Sequence, residues 1–214
     1  CRHAPVEGAH VLVPALPASR TMESAPSAGR REGSYALAVD LGTTSVHWRM
    51  VRLDGPDSPD LPRGVMTNPQ MGAGSDVVSR LAFVMGAMRE NGAETLSRLV
   101  VDALENTVRT CRAEGYGLEG LCVAANPAMT AILLQRDVTP LTHAPYGLPL
   151  EGNVRETLAG LPPAYIPPQV SAFVGGDVSA GYAALPLEPE GDAPAYPFLL
   201  ADMGTTGGRI LAPS

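Results

Sequence analysis

A chain of 214 residues, 45% hydrophobic and 17% charged with a mean hydropathy of +0.06, can bury a core for one large domain or two small ones. That composition excludes a disordered segment and a disulfide miniprotein. Fifteen basic against 22 acidic residues give a formal charge of −7, and no basic cluster is dense enough to track a phosphate backbone, which argues against nucleic acid as a partner.

In chain order, Val11-Leu12-Val13 reads as a short strand ending at Pro14, and residues 15–33, rich in Ala, Ser, Pro and Arg, read as a linker. The apolar run 35–39 has strand length and stops at Asp40-Leu41-Gly42-Thr43-Thr44-Ser45, a tight turn. Alternation over 46–53 predicts a second, half-exposed strand, and 64–67 a third that completes a meander. Two helices follow. One is expected over 75–91 with Ser75 as N-cap and Val77, Val78, Leu81, Val84, Met85 and Met88 on one face. The other spans 93–114 and is stopped by Gly115. Residues 121–125 read as a buried strand, and Pro127 suits the first turn of a helix over 128–135. Prolines at 140, 145, 149, 162, 163, 167 and 168 favour an extended loop broken by a short helix near 154–159, and they exclude a membrane-spanning helix in the uncharged stretch 157–176. A strand over 170–174, a helix over 177–185 and a strand over 198–201 close the chain. The expected fold is α/β, a mixed sheet of order βββαβαβα with helices on both faces.

The chemistry lies in a repeat. Leu37-Ala38-Val39-Asp40-Leu41-Gly42-Thr43-Thr44 and Leu199-Leu200-Ala201-Asp202-Met203-Gly204-Thr205-Thr206 share one plan: apolar strand, Asp, apolar, Gly, Thr, Thr. Each puts a carboxylate at a strand tip beside a concave loop of backbone N–H groups and hydroxyls, which suits a phosphate. Two such loops facing each other would enclose a polyphosphate, with Asp40 and Asp202 organising a hydrated Mg²⁺. The plain alternative is two ordinary turns, since Gly, Asp and Thr are common turn residues. All 15 basic residues are arginine, so a P-loop lysine and a Schiff-base lysine are both excluded, and backbone donors must supply most of the anion binding.

With these motifs the sequence resembles the actin, sugar kinase and heat-shock chaperone ATPase superfamily, whose two phosphate motifs open two ribonuclease H-like halves. Asn68-Pro69-Gln70 with the 74–80 segment Gly-Ser-Asp-Val-Val-Ser-Arg, Ala125-Asn126-Pro127-Ala128-Met129-Thr130, and the 171–181 segment around Gly175-Gly176-Asp177 narrow the likeness. They resemble the ATPase domain of the reductive activators of corrinoid enzymes. That family joins an N-terminal [2Fe-2S] ferredoxin domain, a linker and this ATPase domain, and couples ATP hydrolysis to reduction of cob(II)amide to cob(I)amide. The resemblance implies ATP and Mg²⁺ as cofactors, a corrinoid protein of a methyltransferase system and an electron donor as partners, and a cytoplasmic location. It leaves a homodimer open. Three cysteines without a C-x-x-C pair also fit a reducing compartment.

By this resemblance residues 1–33 are the end of the ferredoxin domain plus linker, 34–190 the first ribonuclease H-like subdomain, and 191–214 the start of a second. Cys1 would be an orphaned iron-sulfur ligand, and because such a cluster needs four ligands none can form from this chain alone. Asp40 would sit near Mg²⁺, Gly42, Thr43 and Thr44 on the β-phosphate side, and Asp202, Gly204, Thr205, Thr206 and Gly207 on the γ-phosphate side. Asp177 is either the general base that places the attacking water or a helix N-cap. Family members often continue the second motif with Asn-Gly-Glu. This chain has Thr206-Gly207-Gly208, so binding is implied more firmly than hydrolysis. The sequence stops soon after that loop and reads as a fragment, expected to bind ATP weakly by itself. A small-molecule kinase with Asp177 as base, and a nucleotide-binding module without turnover, are the other readings. Cys111 and Cys122 are expected in the core. Gly115, Gly117 and Gly120 match G-x-G-x-x-G but lie between helix and strand, the reverse of a dinucleotide site. His3, His10, His47 and His143 lack metal-ligand spacing. Asn68-Pro69-Gln70 is either a structural corner or a partner-facing loop.

Overall fold

The computed structural model describes residues 30–86, 91–184, 200–204 and 207–211, the last two stretches by their backbone. The strand β1 (Tyr35–Leu41) sorts its side chains by the two-residue period: Leu37, Val39 and Leu41 point into the core, while Ala36, Ala38 and Asp40 line the other face. It pairs antiparallel with β2 (Ser45–Arg52), which pairs with β3 (Arg63–Thr67), and parallel with β4 (Leu118–Ala125). β5 (Val154–Glu156) and β6 (Ala164–Ile166) complete a mixed sheet of order β3-β2-β1-β4-β6-β5.

The helix α2 (Gly92–Ala113) covers the core face. Val100, Leu104, Val108 and Cys111 recur at helical spacing and pack on Leu37, Val39, Leu121 and Val123. Each such side chain contributes roughly 1.5–3 kcal/mol by leaving water. A second cluster joins α1 (Val77–Met85), the first turns of α2 and α3 (Pro127–Leu133) through Leu81, Val84, Leu96, Ala128 and Ile132. The opposite face of the sheet carries α4 (Gly176–Ala183), so helices do lie on both faces, as expected.

Several expectations are corrected. The cap of α1 is Asp76, whose Oδ1 accepts from the Ser79 N–H at 2.9 Å, because Ser75 lies one residue outside the first turn; and the helix ends at Met85 before Gly86 instead of running to 91. The short helix near 154–159 is the strand β5. The strand expected over 170–174 is a tight turn closed between Ser171 and Val174, with Val170 exposed. In its place β6 takes the edge of β4, where Ala164 and Ile166 are fully buried, and Pro167-Pro168 then remove the donors a longer strand would need. Cys111 is buried in the core, but Cys122 points to the other face of β4 and is half-buried.

The second repeat forms the hairpin of β7 (Leu200–Gly204) and β8 (Gly207–Leu211), with Gly204 opposite Gly207. The first Gly-Thr-Thr motif likewise follows a strand paired antiparallel with the next, β1 with β2. Val11-Leu12-Val13 and most of the linker lie outside the described residues.

Candidate phosphate-binding site

Because β1 and β4 are parallel, their carboxyl ends emerge on the same edge of the sheet, the edge where ligands of open α/β sheets sit. β1 passes into Gly42-Thr43-Thr44 and β4 into Asn126-Pro127. At Gly42 a Cβ would stand 2.7 Å from the Ser45 carbonyl oxygen, so the turn requires glycine.

Three successive carbonyls of this loop are held from one side. The Asn68 amide Nδ2 donates to Gly42 O at 2.7 Å, an Arg80 Nη2 donates to Thr43 O, and the Asn68 backbone N–H donates to Thr44 O at 2.8 Å. The bracket is itself fixed. Asn68 Oδ1 accepts from the Gln70 N–H at 2.8 Å, Gln70 Nε2 donates to Leu96 O at 2.9 Å, and Arg80 donates through Nε to Gly74 O at 3.0 Å and through Nη1 to Gln70 Oε1 at 3.1 Å. Asn68, Gln70 and Arg80 are all 0% exposed. In a planar trans peptide the C=O and N–H point in opposite directions, so N–H groups of the loop are turned away from the bracket, as an anion cradle needs. Thr43 itself is buried, so its part in the loop is through its backbone.

The Arg80 guanidinium carries no ion pair among the described residues. Burial pushes its pKa below the ordinary value, against the pull of the Asp76 carboxylate, but an arginine stays charged. Asp76 is held below the usual carboxylate range by the Ser79 N–H and hydroxyl.

The second wall is the start of α4. A Cβ on Gly175 would lie 2.6 Å from the Ala125 carbonyl oxygen and the Asn126 Cα, so glycine alone lets α4 begin against the end of β4. Asn126 caps α3 through the Met129 N–H at 3.0 Å. The N-cap of α4 is Gly175, not Asp177, whose Oδ1 accepts from the Val178 N–H at 2.9 Å in the first turn. One turn further along, Ala180 lines a cavity of about 590 Å³ with Ala38, Asp40, His47, Cys122 and Ala124. Asp40 is exposed, and His47 is its cross-strand partner.

Of the expected site residues, Asp40, Gly42, Thr43, Thr44 and Asp177 thus belong to one edge of the sheet. Asp202, Gly204 and Gly207 lie in the second hairpin, with Asp202 opposite Arg209 in register, while Cys1, Thr205 and Thr206 fall outside the described residues. No three His, Cys, Asp or Glu side chains among the described residues gather as a metal site. An exposed Asp40 at the strand end fits a Mg²⁺ held through water. Asn68-Pro69-Gln70 is a buried corner. Arg80 went unassigned in the sequence, although it interrupts the apolar stripe Val77, Leu81, Val84, and an arginine in such a stripe is the signal that marks it. Gln169 was missed as well: it is 6% exposed, its amide abuts Gly176, and its Oε1 has no partner among the described residues.

The family model described as "RACo middle region" matches residues 35–190, from the first residue of β1 to beyond α4. The chain belongs to the RACo family. No curated protein matches it. Among solved structures, a chain named "Reductive activator for corrinoid,iron-sulfur protein" is similar to this RACo middle region at 26% identity with a TM-score of 0.70. The match covers 86% of this chain and 30% of that one, so the present RACo chain spans less than a third of that relative. The likeness establishes the fold as the ribonuclease H-like, actin-like half expected above. No helix among the described residues is long and apolar enough to cross a membrane.

Proposed function

We propose that this chain is the phosphate-binding part of the ATPase domain of a corrinoid activator, which uses ATP to drive one-electron reduction of cob(II)amide to cob(I)amide on a corrinoid iron-sulfur protein. Membership of the RACo family and the name of the similar solved protein support the client. The observation that carries the ATP reading is the bracket that holds three consecutive carbonyls of the first Gly-Thr-Thr loop.

On this reading the backbone of residues 42–44 binds phosphate oxygens, with Gly204, Thr205, Thr206 and Gly207 as the opposing loop. Asp40 and Asp202 would hold Mg²⁺ through water, which would supply charge neutralisation at the phosphates. Asp177, in the first turn of α4, accepts a proton from the attacking water. The electron comes from the [2Fe-2S] cluster of the parent protein, to which Cys1 would belong, and nucleotide biases the complex toward a conformation in which the corrinoid is easier to reduce.

The test uses the full-length protein with its corrinoid client and a reductant. Cob(I)amide, followed by its absorbance, should accumulate only with ATP, and Asp177→Asn should lower phosphate release at least tenfold while leaving nucleotide affinity within a few fold. ATP-independent reduction would refute the proposal, and phosphorylation of a small molecule would mark a kinase instead.

A further inference from the structure

Arg80 presents a physical problem that its hydrogen bonds alone do not resolve. A fully buried cation is costly unless paired, yet its acceptors are the carbonyls of Thr43 and Gly74, the Gln70 amide oxygen and the sulfurs of Met129 and Met71, all neutral, and the Asp76 carboxylate attracts it without forming an ion pair. A neutral donor at this place would cost less to bury. The charge is set directly behind the loop: one peptide unit, Thr43–Thr44, separates the guanidinium from the face to which the loop turns its amides.

We infer that Arg80 is a positioning residue that supplies, from behind the loop, positive charge for phosphate binding. Two effects reach the anion. The field of the guanidinium crosses a dry peptide with little screening, and its hydrogen bond to Thr43 O polarises that peptide so that its N–H donates more strongly. The inference rests on the phosphate reading of the loop and adds the source of its charge.

A unit charge roughly 8 Å from a phosphate oxygen, at an effective dielectric of about 20, changes affinity by about thirtyfold. The experiment is calorimetry on the full-length protein with ATP, ADP and adenosine in the presence of Mg²⁺. Arg80→Gln, which keeps a hydrogen-bond donor, should weaken ATP about ten- to thirtyfold, ADP less, and adenosine not at all. Arg80→Lys, which restores charge but not the fan of hydrogen bonds, should recover most of the loss. Thermal melts report whether each variant folds, and if Arg80→Gln does not, the Lys variant carries the test through its ATP affinity. ATP affinity in Arg80→Gln within twofold of the unaltered protein, or a folded Arg80→Lys weakened by tenfold or more, overturns the inference while the phosphate reading stands. Failure of the unaltered protein to bind ATP overturns both.

Discussion

Replacing Asn68 by alanine removes the centre of the loop bracket, and its cost can be worked from the structure. The side chain makes two hydrogen bonds, to Gly42 O at 2.7 Å and from the Gln70 N–H at 2.8 Å, and the residue is 0% exposed. Alanine leaves the buried Gln70 N–H without a partner and takes one from the half-buried Gly42 carbonyl, at about 1–3 kcal/mol each, the carbonyl at the lower end. A loss of about 2–5 kcal/mol is therefore expected, a large part of the roughly 5–15 kcal/mol typical of a domain. Urea unfolding followed by far-ultraviolet circular dichroism measures it, read as a lower midpoint at unchanged slope. Thr110→Ala, which deletes an exposed hydroxyl on α2, serves as control and should stay within about 0.5 kcal/mol. A loss below about 0.5 kcal/mol for Asn68→Ala at unchanged slope would show that Asn68 does not hold the loop, and the outward set of its amides would then need another cause.

Gly175→Ala should push α4 away from the end of β4, because the new methyl meets backbone that cannot give way; a stability loss of about 1–3 kcal/mol in the same assay is expected, and an unchanged midpoint would count against the packing described. Burial, with a smaller contribution from Glu114, pushes the Cys111 thiol up from 9.0 to about 11. A group raised in the folded state contributes stability below its unfolded value and loses it as pH rises, so the protein should weaken between pH 9 and about 11, and Cys111→Ala should flatten that part of the profile. An identical alkaline profile in the variant would contradict this. Neither Cys111 nor Cys122, whose thiol burial also raises, should react readily with a disulfide reagent near pH 8 in the native state.

The elements legible in the sequence are those whose own pattern decides them. β1 to β3, α2, β4 and α3 carry a clear period, a cap or a proline at the right end, and the repeat of Asp-x-Gly-Thr-Thr marked the ends of β1 and β7. What escaped was decided by tertiary contact. β5 and β6 are three residues each and exist because the edge of β4 is open to Ala164 and Tyr165. The α1 cap went to Asp76 on side-chain reach that spacing does not encode. The candidate site divides the same way: Asp40, the first loop and Asp177 were readable as motifs, whereas the roles of Asn68, Gln70 and Arg80 depend on carbonyls supplied by residues far along the chain.

That last dependence has a consequence for how the protein assembles. The partners of Arg80 and Gln70 come from the turn at Thr43, the segment at Gly74, the first turns of α2 at Leu96 and α3 at Met129. No local stretch can satisfy the guanidinium, so it stays hydrated until these pieces meet, and the loop acquires its final shape in the same step that closes α1 onto α2 and α3. Opening of α1 must then release the loop. The amides of 42–44 and those of α1 are accordingly expected to exchange with solvent as one cooperative unit, tying the shape of the loop to the stability of a helix remote from it in sequence.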